Sequence, residues 1–209
     1  MVLNRLEFLL MNNPLRASCQ RHLEARRLLR MGGSQRGSRV LEIGCGRGVG
    51  VEVIMDVFGA ANVDAFDLDP KMVALARQRL CPRGASVRLW VGDAAAINAP
   101  DAAYDAVFDF GIIHHVPNWR DALSEVHRVL KPGGLLYAEE PLGGLLNHPL
   151  MHRLFAHPPE DRFEAADFRR ALDAAGLAPV REEQLWNMFF WFVARRPTSG
   201  PPPGEVRLN

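Results

Sequence analysis

From residue 38 to residue 140 short apolar runs alternate with stretches whose apolar residues return at helical spacing. That alternation narrows the fold more than any other feature. RVLEI (39–43), NVDAFDL (62–68), SVRLWVGD (86–93), YDAVFDF (104–110) and LLYAEE (135–140) read as strands. VGVEVIMDVF (49–58) reads as a helix despite its β-branched residues, because Gly59 closes it. Pro70 stands at a first helical position after Asp69 as cap, and KMVALARQRL follows. WRDALSEVHRVL puts Trp119, Leu123, Val126 and Leu130 on one face and is stopped by Lys131-Pro-Gly-Gly. A helix over about 165–175 puts Phe168, Leu172 and Ala175 on one face, and PVREEQLW and FFWFVAR add two more strands. Strands and helices in turn predict an α/β chain: a doubly wound, seven-stranded, mostly parallel sheet in a three-layer αβα sandwich. Its crossovers are right-handed, and its ligands sit beyond the carboxyl ends of the strands where strand order reverses.

At 209 residues the chain suits one domain with a real core. Residues 37–196 are predicted to form it, behind a helical cover at 1–36 and ahead of a flexible tail rich in Pro, Gly and Ser at 197–209. A net charge of +1 favours neither acidic nor basic partners. Cys19, Cys45 and Cys81 form no CxxC pair, so no disulfide frame or zinc knuckle is predicted, and a reducing, cytoplasmic setting fits. The first residues, MVLNRLEFLLMNN, are too short and too charged for a secretory apolar region. No uninterrupted apolar stretch is long enough to span a membrane.

The turn after the first strand, VLEIGCGRGVG (40–50), carries Gly44, Gly46 and Gly48 behind a run with one acid, Glu42. Alternate glycines let the backbone approach a ligand and reach positive φ. A dinucleotide site needs G-x-G-x-x-G/A, but here the third small residue comes one place early and Val49 crowds a pyrophosphate. An acid two residues upstream suits a ligand with a positive centre and no phosphate. Asp67 ends the second strand, 23 residues after Gly44, near the offset at which an acid accepts from ribose hydroxyls. Asp93 ends the third strand in VGDA, where it can accept from an exocyclic amine such as that of adenine. Three consecutive strand ends thus present carboxylates to a nucleoside with a cationic head.

VLEIGCGRG, FDLDPKM, VGDA, YDAVFDFGIIHHV and RVLKPGG, in this order and spacing, resemble the class I S-adenosylmethionine-dependent methyltransferases. The likeness is greatest to the small-molecule branch similar to quinone-biosynthesis methyltransferases. It spans residues 38–140 closely and 160–195 loosely. The resemblance implies a Rossmann-like fold, S-adenosyl-L-methionine as cofactor and S-adenosyl-L-homocysteine as product. Gly44 and Gly46 would line the methionine part, with Cys45 a small spacer in the turn, and Glu42 would orient the amino group. Asp67 would bind the ribose hydroxyls, although Asp69 competes with it for sugar and helix cap. Leu68 and Met72 would pack on adenine, Asp93 would receive its N6 amine beside the Ala94 N–H, and Asp109–Gly111, with Phe110, would pass under the methionine tail.

Methyl transfer from a sulfonium needs alignment and exclusion of water, and a base only where the nucleophile carries a proton. The candidates for that base are His114 and His115, of which one faces the core or caps a helix, and Glu139, beside Glu140 at the end of the fifth strand. Leu15 to Arg30 is predicted helical, with five arginines against one glutamate. It reads as a solvated face or as a cover that attracts anionic substrates or lipids. The segment PLGGLLNHPLMHRLFAHPP (141–159) lines the expected pocket with apolar residues and suggests a small, hydrophobic acceptor. His148, His152 and His157 are interrupted by Pro149 and Pro158 and lack an acid, so no metal is predicted. An NAD(P)-linked oxidoreductase lacks a Tyr-x-x-x-Lys pair here, and a nucleic-acid methyltransferase lacks the Asn-Pro-Pro-Tyr type of motif. A non-catalytic S-adenosylmethionine-binding protein remains an alternative. The expected partners are a small-molecule substrate and no nucleic acid, with peripheral lipid contact open and the chain a monomer or homodimer.

Overall fold

The computed structural model describes residues 13–146 and 163–198. The expected histidine trio at 148, 152 and 157, the first twelve residues and the tail beyond residue 198 lie outside the described residues. Helix α1 (Pro14–Cys19) runs through a π-helical turn (Gln20–Glu24) into α2 (Ala25–Gly32). Then follow β1 (Arg39–Ile43), α3 (Val49–Val53) with a second π turn (Ile54–Phe58), β2 (Asn62–Asp67) and α4 (Pro70–Leu80). β3 (Val87–Val91), β4 (Tyr104–Phe110), α5 (Trp119–Val129) and β5 (Leu130–Pro141) come next. The short α6 (Gly143–Leu146), α7 (Ala165–Ala174), β6 (Ala178–Leu185) and β7 (Phe189–Arg195) complete the described chain.

All seven strands lie in one sheet of order β3-β2-β1-β4-β5-β7-β6. Only β7 runs against the rest, pairing antiparallel with β5 and β6. β1 pairs in parallel with β2 on one side and β4 on the other, so strand order reverses at its carboxyl end. The helices divide between the two faces, as the pleat of the central strands requires. Val107 and Leu136 point into the layer of Trp119, Phe168 and Phe192, while their neighbours Phe108 and Tyr137 point into the layer of Leu28, Phe58 and Val193. The mostly apolar, nearly continuous burial of β1 and β2 follows from this, since both faces of each strand are covered.

The punctuation read from sequence acts locally as expected. Asp69 caps α4 by accepting from the Lys71 N–H at 2.8 Å, with Pro70 in the first turn. Gly59 stands left-handed at φ 79° after the second π turn. Nothing in the sequence announced the π turns. The third strand ends at Val91 rather than at Asp93, because Asp93 turns the chain by accepting from the Ala95 N–H at 2.9 Å.

Three of the five arginines of the first helical stretch face partners of this chain. Arg16 pairs with Glu24 and Glu139, Arg21 with Asp56, and Arg27 with Glu183 while lying 4.1 Å over the ring of Trp191. The end of α2 is pinned by Tyr137. Its hydroxyl donates to the Gly32 and Gly33 carbonyls (2.7 and 2.9 Å) and accepts from the Gln35 amide at 2.8 Å. Tyr137→Phe strands the buried Gln35 amide and releases the Gly32 and Gly33 carbonyls, and is expected to cost about 1–3 kcal/mol in denaturant unfolding.

Candidate active site

One cleft opens at the carboxyl ends of β1, β2 and β4, where the strand order reverses. Glu42, Asp67 and Asp93, from three successive strand ends, all line it. So do Gly44, Cys45 and Gly46 of the turn, Leu68, Met72 and Ala94 on the β2–β3 side, and Phe110 at the end of β4. The ten residues expected around a cofactor are thus brought to one place.

The turn requires its glycines. Gly44 has φ 68°, and a Cβ there would lie 2.1 Å from Ile112 Cγ1. Gly46 gives its N–H to Asp67 at 2.9 Å, which ties the turn to the end of β2. The other Asp67 oxygen accepts from the Asp69 N–H at 2.9 Å. Both acids line the cleft, and Asp69 also caps α4. Burial raises the Asp67 pKa above the usual carboxylate range, while the two backbone N–H bonds oppose the shift.

Glu42 is the more unusual acid. It is 2% exposed, and its Oε2 has no hydrogen-bond partner among the described residues. Arg39, in the same strand, pairs with Asp64 at 2.7 Å and not with Glu42. Burial, with the charges of Asp67 and Asp109 added, holds the Glu42 pKa well above the ordinary range. A buried acid with an unused oxygen facing a cleft suits a bound cation. Gly50, in the first turn of α3, makes room for it: a Cβ there would stand 1.7 Å from Glu42 Oε1. Sequence reasoning missed Gly50, although a glycine inside a helical pattern costs about 1 kcal/mol against alanine and calls for a reason.

Cys45 is 4% exposed and its thiol pKa is pushed far up by burial and by Glu42, so it is a spacer and not a nucleophile. Leu68 is 55% exposed at the rim and Met72 is buried beneath it.

The base candidates separate. His115 lines the cleft. His114 lies behind it, with ring centroids 3.9 Å apart and Nδ1 2.6 Å from Glu140 Oε2. The carboxylate expected to point into the pocket from the end of β5 is not among the cleft-lining residues. Glu139 turns to Arg16 (3.1 Å) and the Trp191 indole N–H (3.0 Å), and Glu140 turns to His114 and the Ile113 N–H (2.7 Å). Sequence reasoning also missed Asn13, Gln20 and Arg47 as cleft-lining residues. Arg16 joins them across the 123 residues that separate it from Glu139.

Among the described residues no group of His, Cys, Asp and Glu has metal-binding geometry, and no helix is long and apolar enough to cross a membrane.

A mostly parallel sheet of this order, with a glycine turn after β1 and acids at or just beyond the ends of β1, β2 and β3, is a Rossmann-like arrangement with its cleft at the point where strand order reverses. Residues 40–134 match the family described as methyltransferase domain. A probable S-adenosylmethionine-dependent methyltransferase of Mycolicibacterium smegmatis is 40% identical over 50% of this chain and 38% of its own length. A demethylmenaquinone methyltransferase of Thermus thermophilus is 37% identical over 49% of this chain and 46% of its own. In structure, a methyltransferase solved with the Haloferax volcanii Trm112 activator superposes with a TM-score of 0.75 at 20% identity, over 89% of this chain and 95% of that one. The chain spans about half or less of the length of the first curated relatives it matches. Over residues 40–134 the chain is thus similar to S-adenosylmethionine-dependent methyltransferases, and in fold it is similar to solved methyltransferase structures.

Proposed function

We propose that this chain transfers the methyl group of S-adenosyl-L-methionine to a small, largely apolar organic acceptor, in a cytoplasmic setting. The observation that carries this reading is the convergence of Glu42, Asp67 and Asp93 on one cleft, with a buried Glu42 oxygen lacking any partner among the described residues. When bound, the cofactor supplies a methyl group on a positively charged sulfur that is already an activated leaving group.

The chain's own residues would bind and orient. Asp67, already fixed by the Gly46 and Asp69 N–H groups, has oxygen lone pairs left for the two ribose hydroxyls. Glu42 takes the ammonium of the methionine tail, and Gly44 lets that tail pass close to the backbone. Leu68 and Met72 cover adenine, Asp93 accepts from its amine, and Phe110 closes the floor. Holding donor and acceptor in line can supply about 7–11 kcal/mol of the barrier. Where the acceptor carries a proton, His115 is the ring placed to take it, for a gain of about 10²–10⁴-fold. Asn13, Arg16 and Gln20 bound the acceptor side of the cleft.

Glu42 adds a pH signature. In the free protein its raised pKa keeps a proton on it above the ordinary carboxylate range. A cation beside it favours the carboxylate, so donor binding should release a proton and should tighten as pH rises through that window. Calorimetry in two buffers of different ionisation heat measures the release, and Glu42→Gln is expected to abolish it.

Incubation with methyl-labelled donor and fractionated extracts, followed by mass spectrometry of the labelled product, tests the reading. A labelled small molecule supports it. Tight donor binding with no labelled product from any fraction would favour a non-catalytic S-adenosylmethionine-binding protein.

A further inference from the structure

Beneath the cleft lies a chain of ionisable groups that the cofactor does not need. Asp109, near the end of β4, and Glu140, near the end of β5, are each 0% exposed. Asp109 Oδ1 accepts from the Ile112 N–H at 2.8 Å. Asp109 Oδ2 is buried and receives no N–H or O–H from the described residues. Asp109 stands opposite Ala138, two residues before Glu140, and the two carboxyls accept from the successive Ile112 and Ile113 N–H groups, which makes them neighbours. Glu140 Oε1 accepts from the Ile113 N–H at 2.7 Å, and Oε2 lies 2.6 Å from His114 Nδ1 and 3.4 Å from the His114 N–H. The ring of His114 in turn lies against that of His115, tilted by 39°, and His115 lines the cleft. A Cβ at Gly111, another cleft residue, would come within 3.9 Å of His114 Cε1.

Two buried carboxylates in contact cannot both stay ionised without a cation between them. We infer that Asp109 holds a proton and donates it to the Glu140 carboxylate, and that Glu140, so held, keeps the His114 ring in the Nδ1–H tautomer behind His115. Each partner then has a defined role. The Asp109 O–H supplies the donor that Oδ2 otherwise lacks. Glu140 accepts that proton's bond, the Ile113 N–H and the His114 Nδ1–H. His114 is left with Nε2 as its basic nitrogen, and its ring sets the plane against which His115 packs at the cleft wall. Burial raises Asp109 well above the usual carboxylate range, with the charge of Glu140 adding to it, and burial lifts Glu140 to about 7. Both directions agree with the geometry. Glu42 and Glu139, the other acids that act on this pair, add negative charge and favour the shared proton further. Asp109 and Glu140 are thus positioning residues, and their bearing on turnover rests on the cleft being the site of methyl transfer. The proton placement itself does not.

The test therefore reads the proton and needs no donor. Nitrogen-15 NMR of the imidazoles near neutral pH, with His114→Gln for assignment, should show His114 protonated on Nδ1. Infrared difference spectra between the wild-type chain and Asp109→Asn should show one buried carboxylic-acid C=O band that the variant lacks. Asp109→Asn keeps a donor toward Glu140, through its amide, and should leave the His114 tautomer unchanged. Glu140→Gln must keep its oxygen toward the Ile113 N–H, so its NH₂ meets His114 and should drive the ring to the Nε2–H form. A wild-type His114 carrying its proton on Nε2, or no acid band lost in Asp109→Asn, would overturn the inference whether or not Glu140→Gln folds. Failure of donor binding would overturn the methyltransferase reading and leave this one standing.

Discussion

Asp67→Ala is expected to weaken S-adenosyl-L-homocysteine binding by about 10²–10⁴-fold, since two charge-assisted hydrogen bonds at roughly 1.5–3 kcal/mol each disappear. Isothermal titration measures the loss. The residue suits so large an effect because it acts twice. One oxygen anchors the Gly46 N–H and the other the Asp69 N–H, so the carboxylate is already oriented before any ligand arrives. The substitution removes both the sugar's acceptor and the tie between the glycine turn and β2. Asp67→Asn separates the two effects. Its amide oxygen can still hold the Gly46 N–H, while the amide NH₂ replaces an acceptor with a donor. An intermediate loss is expected for Asn, and a melting temperature near wild type in that variant would show that the turn is intact. Unchanged affinity in Asp67→Ala would remove the residue from the sugar site.

The second large effect is expected at Gly50, where no ligand contact is needed to explain it. A Cβ at this position would stand 1.7 Å from Glu42 Oε1 and 3.0 Å from Phe110 Cδ2. Gly50→Ala must therefore push the Glu42 carboxyl out of its place. Alanine gains about 1 kcal/mol of helix propensity over glycine, but overpacking a tight site costs about 1–3 kcal/mol, so a net loss of stability is expected. Donor affinity should fall with it, because the displaced carboxyl no longer meets the ammonium. The double variant Gly50→Ala/Glu42→Ala distinguishes the causes. Removing the Glu42 side chain relieves the clash and should restore stability, yet affinity should stay low. Stability and affinity recovering together would mean that Glu42 has no part in binding.

These two positions also mark how far the sequence could be read. The strands were legible because the central ones are buried on both faces, which turns them into largely apolar runs such as Ala106–Phe108. The order of motifs then placed Glu42, Asp67 and Asp93 at three consecutive strand ends, and the right-handed crossover rule put those ends on one edge. Local punctuation was legible because it acts within a few residues: the Asp69 side chain caps the helix that Pro70 begins. What could not be read were the interactions between distant segments. Glu139 was expected to face the pocket, but Arg16 of α1 and Trp191 of β7 claim it, and no local pattern announces a pairing across 123 residues. Gly50 carries no local signal of the Glu42 carboxyl that stands against it. Asp109 was expected only to pass under a ligand, and its contact with Glu140 arises from two parallel strands that run side by side, with Asp109 opposite Ala138.

The central claim is that the strand ends around Gly44 hold a nucleoside bearing a cation and lacking phosphate. A thermal-shift comparison of S-adenosyl-L-homocysteine with NADH tests it most directly. The account expects S-adenosyl-L-homocysteine to raise the melting temperature, by an amount that grows with its concentration and is lost in Asp67→Ala. It expects NADH to leave the melting temperature where it was. Stabilisation by NADH alone, or none by S-adenosyl-L-homocysteine at any concentration, would contradict the account.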